Sequence, residues 1–255
     1  RRPMLAGERR RALLERLARD GRVVVAEVAQ AFDVAEETIR RDLNRMERDG
    51  LLSRSHGGAL PRPTGDEDLP YQVRDMTNID AKRAIGALAA ELVPDGAALM
   101  LDSSSTAYEA LRALKGHRDL TVITNSVRLL SDPEATGHTV ISVGGELRRR
   151  SMTFVGAVAC QAAAQFNADF ALVSCKALSL AGGIMDPNLA DAAVKRALIG
   201  NAARVVLLAD ASKFDRTALA TVADFRAVDI LVTDRPPSEA WRERLAHDGV
   251  TLLNP

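Results

Sequence analysis

Cysteine is scarce. Cys160 and Cys175 are the only two in 255 residues, too few for a disulfide framework. Neither stands beside Cys or His at zinc-ligand spacing, so no metal and no cofactor is expected. Long apolar runs are missing as well. No stretch approaches the ~20 apolar residues of a membrane span, and the basic opening Arg1 to Arg11 lacks a signal-peptide core. These absences predict a soluble, reduced, cytoplasmic chain with no membrane partner. Net charge is absent overall, with 34 Lys/Arg against 34 Asp/Glu, but its distribution is uneven. Arg1 to Arg62 carries 14 Lys/Arg against 10 Asp/Glu, leaving 20 against 24 beyond it. A mildly basic head on an acidic body suits a nucleic-acid-binding module joined to a second domain.

What is present in the first sixty residues is an ordered set of short elements. From Ala6, Leu13, Leu14 and Leu17 line one helical face before Gly21 stops the helix. A β-branched run, Val23 to Val25, precedes a short helix over Glu27 to Phe32 and a turn at Asp33-Val34. A further helix runs from about Ala35 to Asp49 and ends at Gly50. Two helices joined by so short a turn have helix-turn-helix geometry. In the second of them Ile39, Leu43 and Met46 face the core, which turns Thr38, Arg41 and Arg45 outward beside Glu37, Arg40 and Asn44. Donor-rich side chains of this kind suit phosphates and guanine edges. Glu37, Thr38, Arg40 and Arg41 are the base- and phosphate-contact candidates, and Arg45 reads as a backbone contact or a solvated charge. The run Leu51 to Leu60 turns on Gly57-Gly58 and predicts a hairpin wing, from which Arg54 and His56 can touch the DNA backbone or minor groove.

The stretch from Glu8 to Leu60, above all EETIRRDL and HGGA, resembles the N-terminal signature of the DeoR family of sugar-metabolism regulators. Val24, Asp33 and Ala35 depart from the family pattern, where a Ser or Thr, a Gly and a capping Ser are usual. Loss of a Ser cap costs about 0.5–2 kcal/mol, and Asp33 is expected to replace it in part.

Pro61 to Asp68 is rich in prolines and acids and marks a boundary. The expected division is a winged helix-turn-helix over 1–60, a linker over 61–70 and an α/β domain over 71–255. In the last, seven β-branched or Leu-rich runs (Ala97 to Leu101, Leu120 to Thr124, Thr139 to Val143, Phe170 to Ser174, Arg204 to Ala209, Ile230 to Thr233, Val250 to Leu253) are largely separated by helices. That alternation predicts a Rossmann-like, mostly parallel α/β sheet, with a ligand beyond the carboxyl ends of the strands. There stand Asp102, Ser103, Ser104, Ser105 and Thr106, up to four hydroxyls at a helix N-terminus. They form an anion cradle without the Gly and Lys of a nucleotide P-loop, or else a plain helix cap. Asn125, Ser126, Gly144 and Lys176 end other runs. Lys176, Lys195 and Lys213 are candidates to neutralise a phosphate, and Asn125, Asp186 and Asp191 to bind sugar hydroxyls. Cys175 reads as a small buried residue rather than a nucleophile, Gly182-Gly183 as a turn, and Arg148 to Arg150 as surface or an inter-subunit contact.

This second region resembles the DeoR sensor domain in Lys82-Arg83, DSSST, TNS, GGEL, VKRALI and ADASKF, and through it ribose-5-phosphate isomerase A. The resemblance implies a transcription repressor that binds double-stranded operator DNA as a homo-oligomer, dimer or tetramer, and is relieved by a phosphorylated sugar. Leu189 stands where the family often has Glu. An isomerase needs a carboxylate base, and Ser174 to Ala177 occupy the place of its acid-rich loop, so no enzyme is expected. Repression and activation are not separated by the sequence.

Overall fold

The computed structural model describes residues 4–61, 70–132 and 137–255. Most of the expected linker, 62–69, lies outside the described residues. The chain forms two compact units, Arg1–Thr77 and Asn78–Pro255.

The first unit contains α1 (Ala6–Asp20), β1 (Val23–Val24), α2 (Val25–Phe32), α3 (Glu36–Arg48), β2 (Ser53–Ser55), β3 (Gly58–Leu60) and α4 (Tyr71–Met76). Gly21 ends α1 in the left-handed conformation, donating its N–H to Leu17 at 3.0 Å. The β-branched run is shorter than its composition suggests. Val25 already begins α2, its N–H donating to Gly57 O at 2.9 Å. Asp33 takes the left-handed turn with φ 54°, yet the N-terminus of α3 has no side-chain cap. Glu36 and Glu37 stand in its first turn instead, where a carboxylate favours the helix dipole. Leu13, Val28, Ile39, Leu43 and Met46 are fully shielded from solvent and form the centre of this unit's core.

The three strands pair antiparallel in the order β1-β3-β2. The two glycines of the wing do different work. Gly57 adopts φ 78° in the turn, which glycine accepts without Cβ strain. Gly58 pairs with Val24, and a Cβ there would lie 1.9 Å from Val23 O. Val73 and Met76 of α4 pack against the same core, so 71–76, grouped by the sequence with the second domain, falls in the first unit.

The second unit begins with α5 (Ile79–Ala90), β4 (Ala98–Leu101), α6 (Ser105–Ala113), β5 (Thr121–Thr124), α7 (Val127–Leu130) and β6 (Thr139–Ser142). The hairpin β7 (Glu146–Arg148) and β8 (Thr153–Val155) leads through α8 (Gly156–Ala163) to β9 (Ala168–Ser174). A second hairpin, β10 (Ala177–Ser179) and β11 (Gly183–Asp186), precedes α9 (Leu189–Gly200) and β12 (Ala202–Leu208). The chain ends with β13 (Ala220–Ala223), β14 (Ile230–Val232), α10 (Glu239–His247) and β15 (Thr251–Leu253).

Seven strands form one sheet in the order β15-β14-β12-β9-β4-β5-β6, every neighbouring pair parallel. All seven runs read from the sequence are these strands. Two hydrophobic clusters back the sheet, one containing Met100, Ala171 and Leu207, the other Leu99, Leu101 and Leu172. Alternate residues of one strand therefore serve opposite faces. The two short hairpins and β13 are additional: β10, β11 and β13 form a separate antiparallel sheet, with Gly182 in the turn and Gly183 opening β11 opposite Ser179. Chain order reverses between β4 and β9, the switch point beyond whose carboxyl ends α/β sheets bind ligands.

Candidate DNA-binding face and effector site

In the first unit α3 presents Glu37, Arg40, Arg41 and Arg45 to solvent, with Thr38 half-buried among them. Each arginine has a carboxylate one turn away. Arg40 meets Glu36 at 2.6 Å, Arg41 meets Glu37 at 3.5 Å, and Arg45 meets Asp49 at 3.9 Å. Exposed pairs of this kind contribute about 0–1 kcal/mol, so a DNA phosphate can displace the carboxylate at little cost. Arg54 is placed differently. Its Nη1 donates to Gly58 O at 2.5 Å and its N–H to Glu47 Oε1 at 2.8 Å, which commits it to the wing. His56 is exposed at the hairpin turn. Periodicity on α3 did not reveal the role of Asp42. It is buried on the core side and accepts from Arg9 Nε at 2.5 Å, tying α3 to α1.

In the second unit the loops after β4, β5, β9, β11 and β12 bring polar residues to one edge of the sheet. Asp102 is fully buried; its Oδ1 accepts from Ser104 N–H and its Oδ2 from Ser174 N–H, each at 3.1 Å. It therefore orients its own loop and clamps β4 to β9. Ser103, Ser105 and Thr106 are buried beside it. Ser104 caps α6, accepting from Ala107 N–H at 3.0 Å, and Ser126 caps α7, accepting from Leu129 N–H at 3.3 Å. Gly144 uses its N–H on Ser142 Oγ at 3.1 Å. Lys176 follows β9, half-buried, with its backbone N–H on Met185 O.

Lys195 departs from its expected role. Its Nζ donates to Ser174 O at 2.7 Å and Asp186 Oδ2 at 2.8 Å and stands 3.3 Å from Asp102 Oδ2. An ammonium has three protons, and three acceptors already surround this one in the interior. Lys195 is an internal strut, and Lys176 and Lys213 are the remaining candidate cations among the lysines read from the sequence. Burial disfavours the charged Lys195, but Asp186 and Asp102 outweigh it and hold the proton more firmly than usual. Asp186 is held below the ordinary carboxylate value, its burial overcome chiefly by Lys195 and then Lys176.

Asn125 donates Nδ2 to Thr153 Oγ1 at 2.7 Å and Phe154 O at 3.2 Å. Asp191 accepts from Arg148 Nη1 at 2.9 Å, so one member of the arginine run read as surface or an inter-subunit contact is drawn against the first turn of α9. Burial raises the Asp191 carboxyl above its ordinary value. Asp210, after β12, is 2% exposed. Its own burial is outweighed by Lys213 and Ser212, so it is held below the ordinary value. Lys213 Nζ lies 4.0 Å from its Oδ2. Burial pushes the Cys175 thiol up to about 12, consistent with an inert core residue.

Among the described residues, the buried side-chain oxygens without a hydrogen-bond partner are Asn125 Oδ1, Asp191 Oδ1, Asp210 Oδ2 and Thr233 Oγ1. They lie beyond the carboxyl ends of β5, β11, β12 and β14. Buried polar atoms of this kind are matched in native proteins by protein, water or a bound group; His117 Nδ1 and His138 Nδ1 are likewise without a partner among the described residues. Sequence reasoning placed Asp210 at this edge without giving it a role, and did not select Thr233, Arg148 or Asn188, the last being the side-chain cap of α9. The pairing of Arg148 with Asp191 across the intervening chain left no local signal. No cluster of three metal-ligating side chains occurs among the described residues, and none of their helices is long and apolar enough to cross a membrane.

A winged helix-turn-helix joined to a parallel α/β unit with a polar strand-end rim defines a DNA-binding transcription regulator with a sensor domain. The model of the DeoR-like helix-turn-helix domain matches residues 9–61, and that of the DeoR C-terminal sensor domain residues 77–235. The chain belongs to the DeoR family. It is 32% identical to the HTH-type transcriptional regulator GlpR of Haloferax volcanii, covering 98% of both chains. It is 31% identical to the glycerol-3-phosphate regulon repressor of Escherichia coli, covering 96% of this chain and 97% of that one. With the repressor GlcR of Bacillus subtilis the identity is 33%, over 98% and 96%. These relatives are regulators, and the chain is a regulator rather than an enzyme. Among solved structures, ribose 5-phosphate isomerase A from Methanocaldococcus jannaschii matches 54% of this chain and 55% of its own with a TM-score of 0.40 and 18% identity.

Proposed function

We propose that this regulator represses a sugar-catabolic operon and releases its operator when a phosphorylated sugar occupies the strand-end rim of the second unit. The observation that carries the effector half is the row of buried acceptors at Asn125, Asp191, Asp210 and Thr233. Asn125, Asp191 and Asp210 offer acceptor oxygens and Thr233 a hydroxyl that both donates and accepts, a set that suits a ligand rich in hydroxyls. Ser103 to Thr106, at the N-terminus of α6, suit the opposite end of such a ligand, an anion. Lys176 and Lys213 supply the cationic side chains. A sugar phosphate has both ends. A relative in Escherichia coli is named for the regulon it represses, that of glycerol 3-phosphate, a compound with hydroxyls at one end and a phosphate at the other.

The repressor half rests on Arg40 and Arg41, exposed on α3 and paired, among the described residues, with Glu36 and Glu37 of their own helix. Binding as a dimer or tetramer would present two such helices to successive half-sites. The test is a mobility shift on a fragment upstream of the gene, repeated with phosphorylated sugars, alongside a thermal-stability screen of the same compounds. A ligand at a hundred times its Kd stabilises by about 2.7 kcal/mol. If no phosphorylated sugar changes either readout, the effector assignment fails. Operator position relative to the transcription start then separates repression from activation.

A further inference from the structure

Asn78 is the first residue of the second unit, and its peptide bond joins it to Thr77, the last of the first. Its backbone is left-handed, φ 53° and ψ 39°, and although it stands at the N-cap of α5 its side chain caps nothing. A left-handed residue other than glycine persists when its surroundings hold it there. What holds Asn78 comes from 132 residues further along the chain. Its Nδ2 donates to Asp210 Oδ1 at 3.1 Å and to Ser212 Oγ at 3.3 Å.

The two oxygens of Asp210 are used unequally. Oδ1 accepts from Asn78, from Ser212 N–H at 3.0 Å and from the Ser212 hydroxyl. Oδ2 is buried without a hydrogen-bond donor. One carboxylate thus grips the junction with one atom and offers the other to the strand-end rim.

We infer that Asp210 is a positioning residue which, through Asn78, makes the operator affinity of the protein depend on what the strand-end rim holds. A hydroxyl donor arriving at Oδ2 draws negative charge away from Oδ1 and turns the carboxylate. Both changes weaken the hold on Asn78. The junction then has two backbone states, left-handed when gripped and right-handed or extended when released. A two-state element biased by ligand is what coupling between distant functions requires. That the rim holds a ligand, and that its binding releases the junction, rests on the effector reading above; that the grip of Asp210 on Asn78 supports operator binding does not.

The test needs no effector. Operator affinity of the full-length chain is measured by fluorescence anisotropy on a duplex that the native protein selects from random sequence. N78D keeps the side-chain shape and the tolerance for φ above zero but sets an acceptor against Asp210. N78G keeps the left-handed backbone without strain and removes only the side-chain bonds, so it keeps the test open even where N78D or D210N fails to fold. Each variant is expected to weaken operator binding about fivefold or more, and N78D is expected to add little in the D210N background. Circular dichroism and thermal unfolding identify the folded protein, and a purely structural role would move those readouts alone. Unchanged or tighter binding by folded N78G, within about twofold of native, overturns the inference, as do losses from N78D and D210N that simply multiply. The phosphosugar assignment can fail while this result stands, and the reverse holds equally.

Discussion

Lys195 and Asp186 meet at 2.8 Å, each side chain almost wholly withdrawn from solvent. Asp102 stands 3.3 Å from the same ammonium, so one lysine joins the end of β4, the end of β9 and the approach to α9. Buried ions are tolerated only when paired and hydrogen-bonded.

Replacing Lys195 with methionine leaves two buried carboxylates unpaired and is expected to destabilise the protein by about 3–5 kcal/mol. Urea unfolding followed by circular dichroism measures this. A loss below about 1 kcal/mol would show that water reaches the site and that the strut is dispensable.

Acid should unfold the sensor partly through Asp186. Its folded value lies below the ordinary 3.8, so its contribution is present above that value and lost as pH falls through the lower folded one. Asp191 is shifted the other way by burial; its contribution is present at low pH and is lost as pH rises through the ordinary value toward the raised one. Unfolding free energies across about pH 2 to 6 should therefore show a shallower acid limb for D186N than for the native chain and a steeper one for D191N.

The outward face of α3 yields a salt-dependence prediction. Removing Arg40 or Arg41 by alanine substitution should weaken operator binding and, where the lost contact is to a phosphate, reduce the slope of log K against log salt by about 1. Anisotropy titrations over a range of potassium chloride give both numbers. Unaltered affinity in both variants would remove α3 as the recognition helix.

The wing depends on a missing side chain. A Cβ at position 58 would lie 1.9 Å from Val23 O, so G58A should part β1 from β3 and lower operator affinity while the sensor's thermal transition stays in place.

The two thiols should differ in reactivity. Cys175 is buried with its thiol pushed up to about 12, whereas Cys160 is half-buried. A disulfide reagent near neutral pH is expected to titrate one thiol in the native protein and the second only after denaturant is added.

Much of the fold was legible from local pattern. The seven β-branched runs became the seven strands because a strand buried on both faces must be apolar along its length. Ile39, Leu43 and Met46 identified the inner face of α3 because helical periodicity leaves no other face to bury. Gly57-Gly58 identified the wing, since a hairpin turn and a close strand approach each exclude a side chain. Ser103 to Thr106 and Asn125 reached the strand-end edge because each follows its strand directly.

Only the tertiary structure decided how the charges were used. Lys195 has the same local setting as many solvated helical lysines; it became a strut because β4, β9 and β11 deliver three acceptors around its ammonium. Arg148 lies in a basic run that reads as surface, yet folding brings Asp191 to 2.9 Å. Asn78 and Asp210 are separated by 132 residues in sequence. Apolar burial depends on residue type and period, which a sequence displays. A hydrogen bond depends on the position of two atoms to within a fraction of an ångström, and that is settled only when distant strands have found their register.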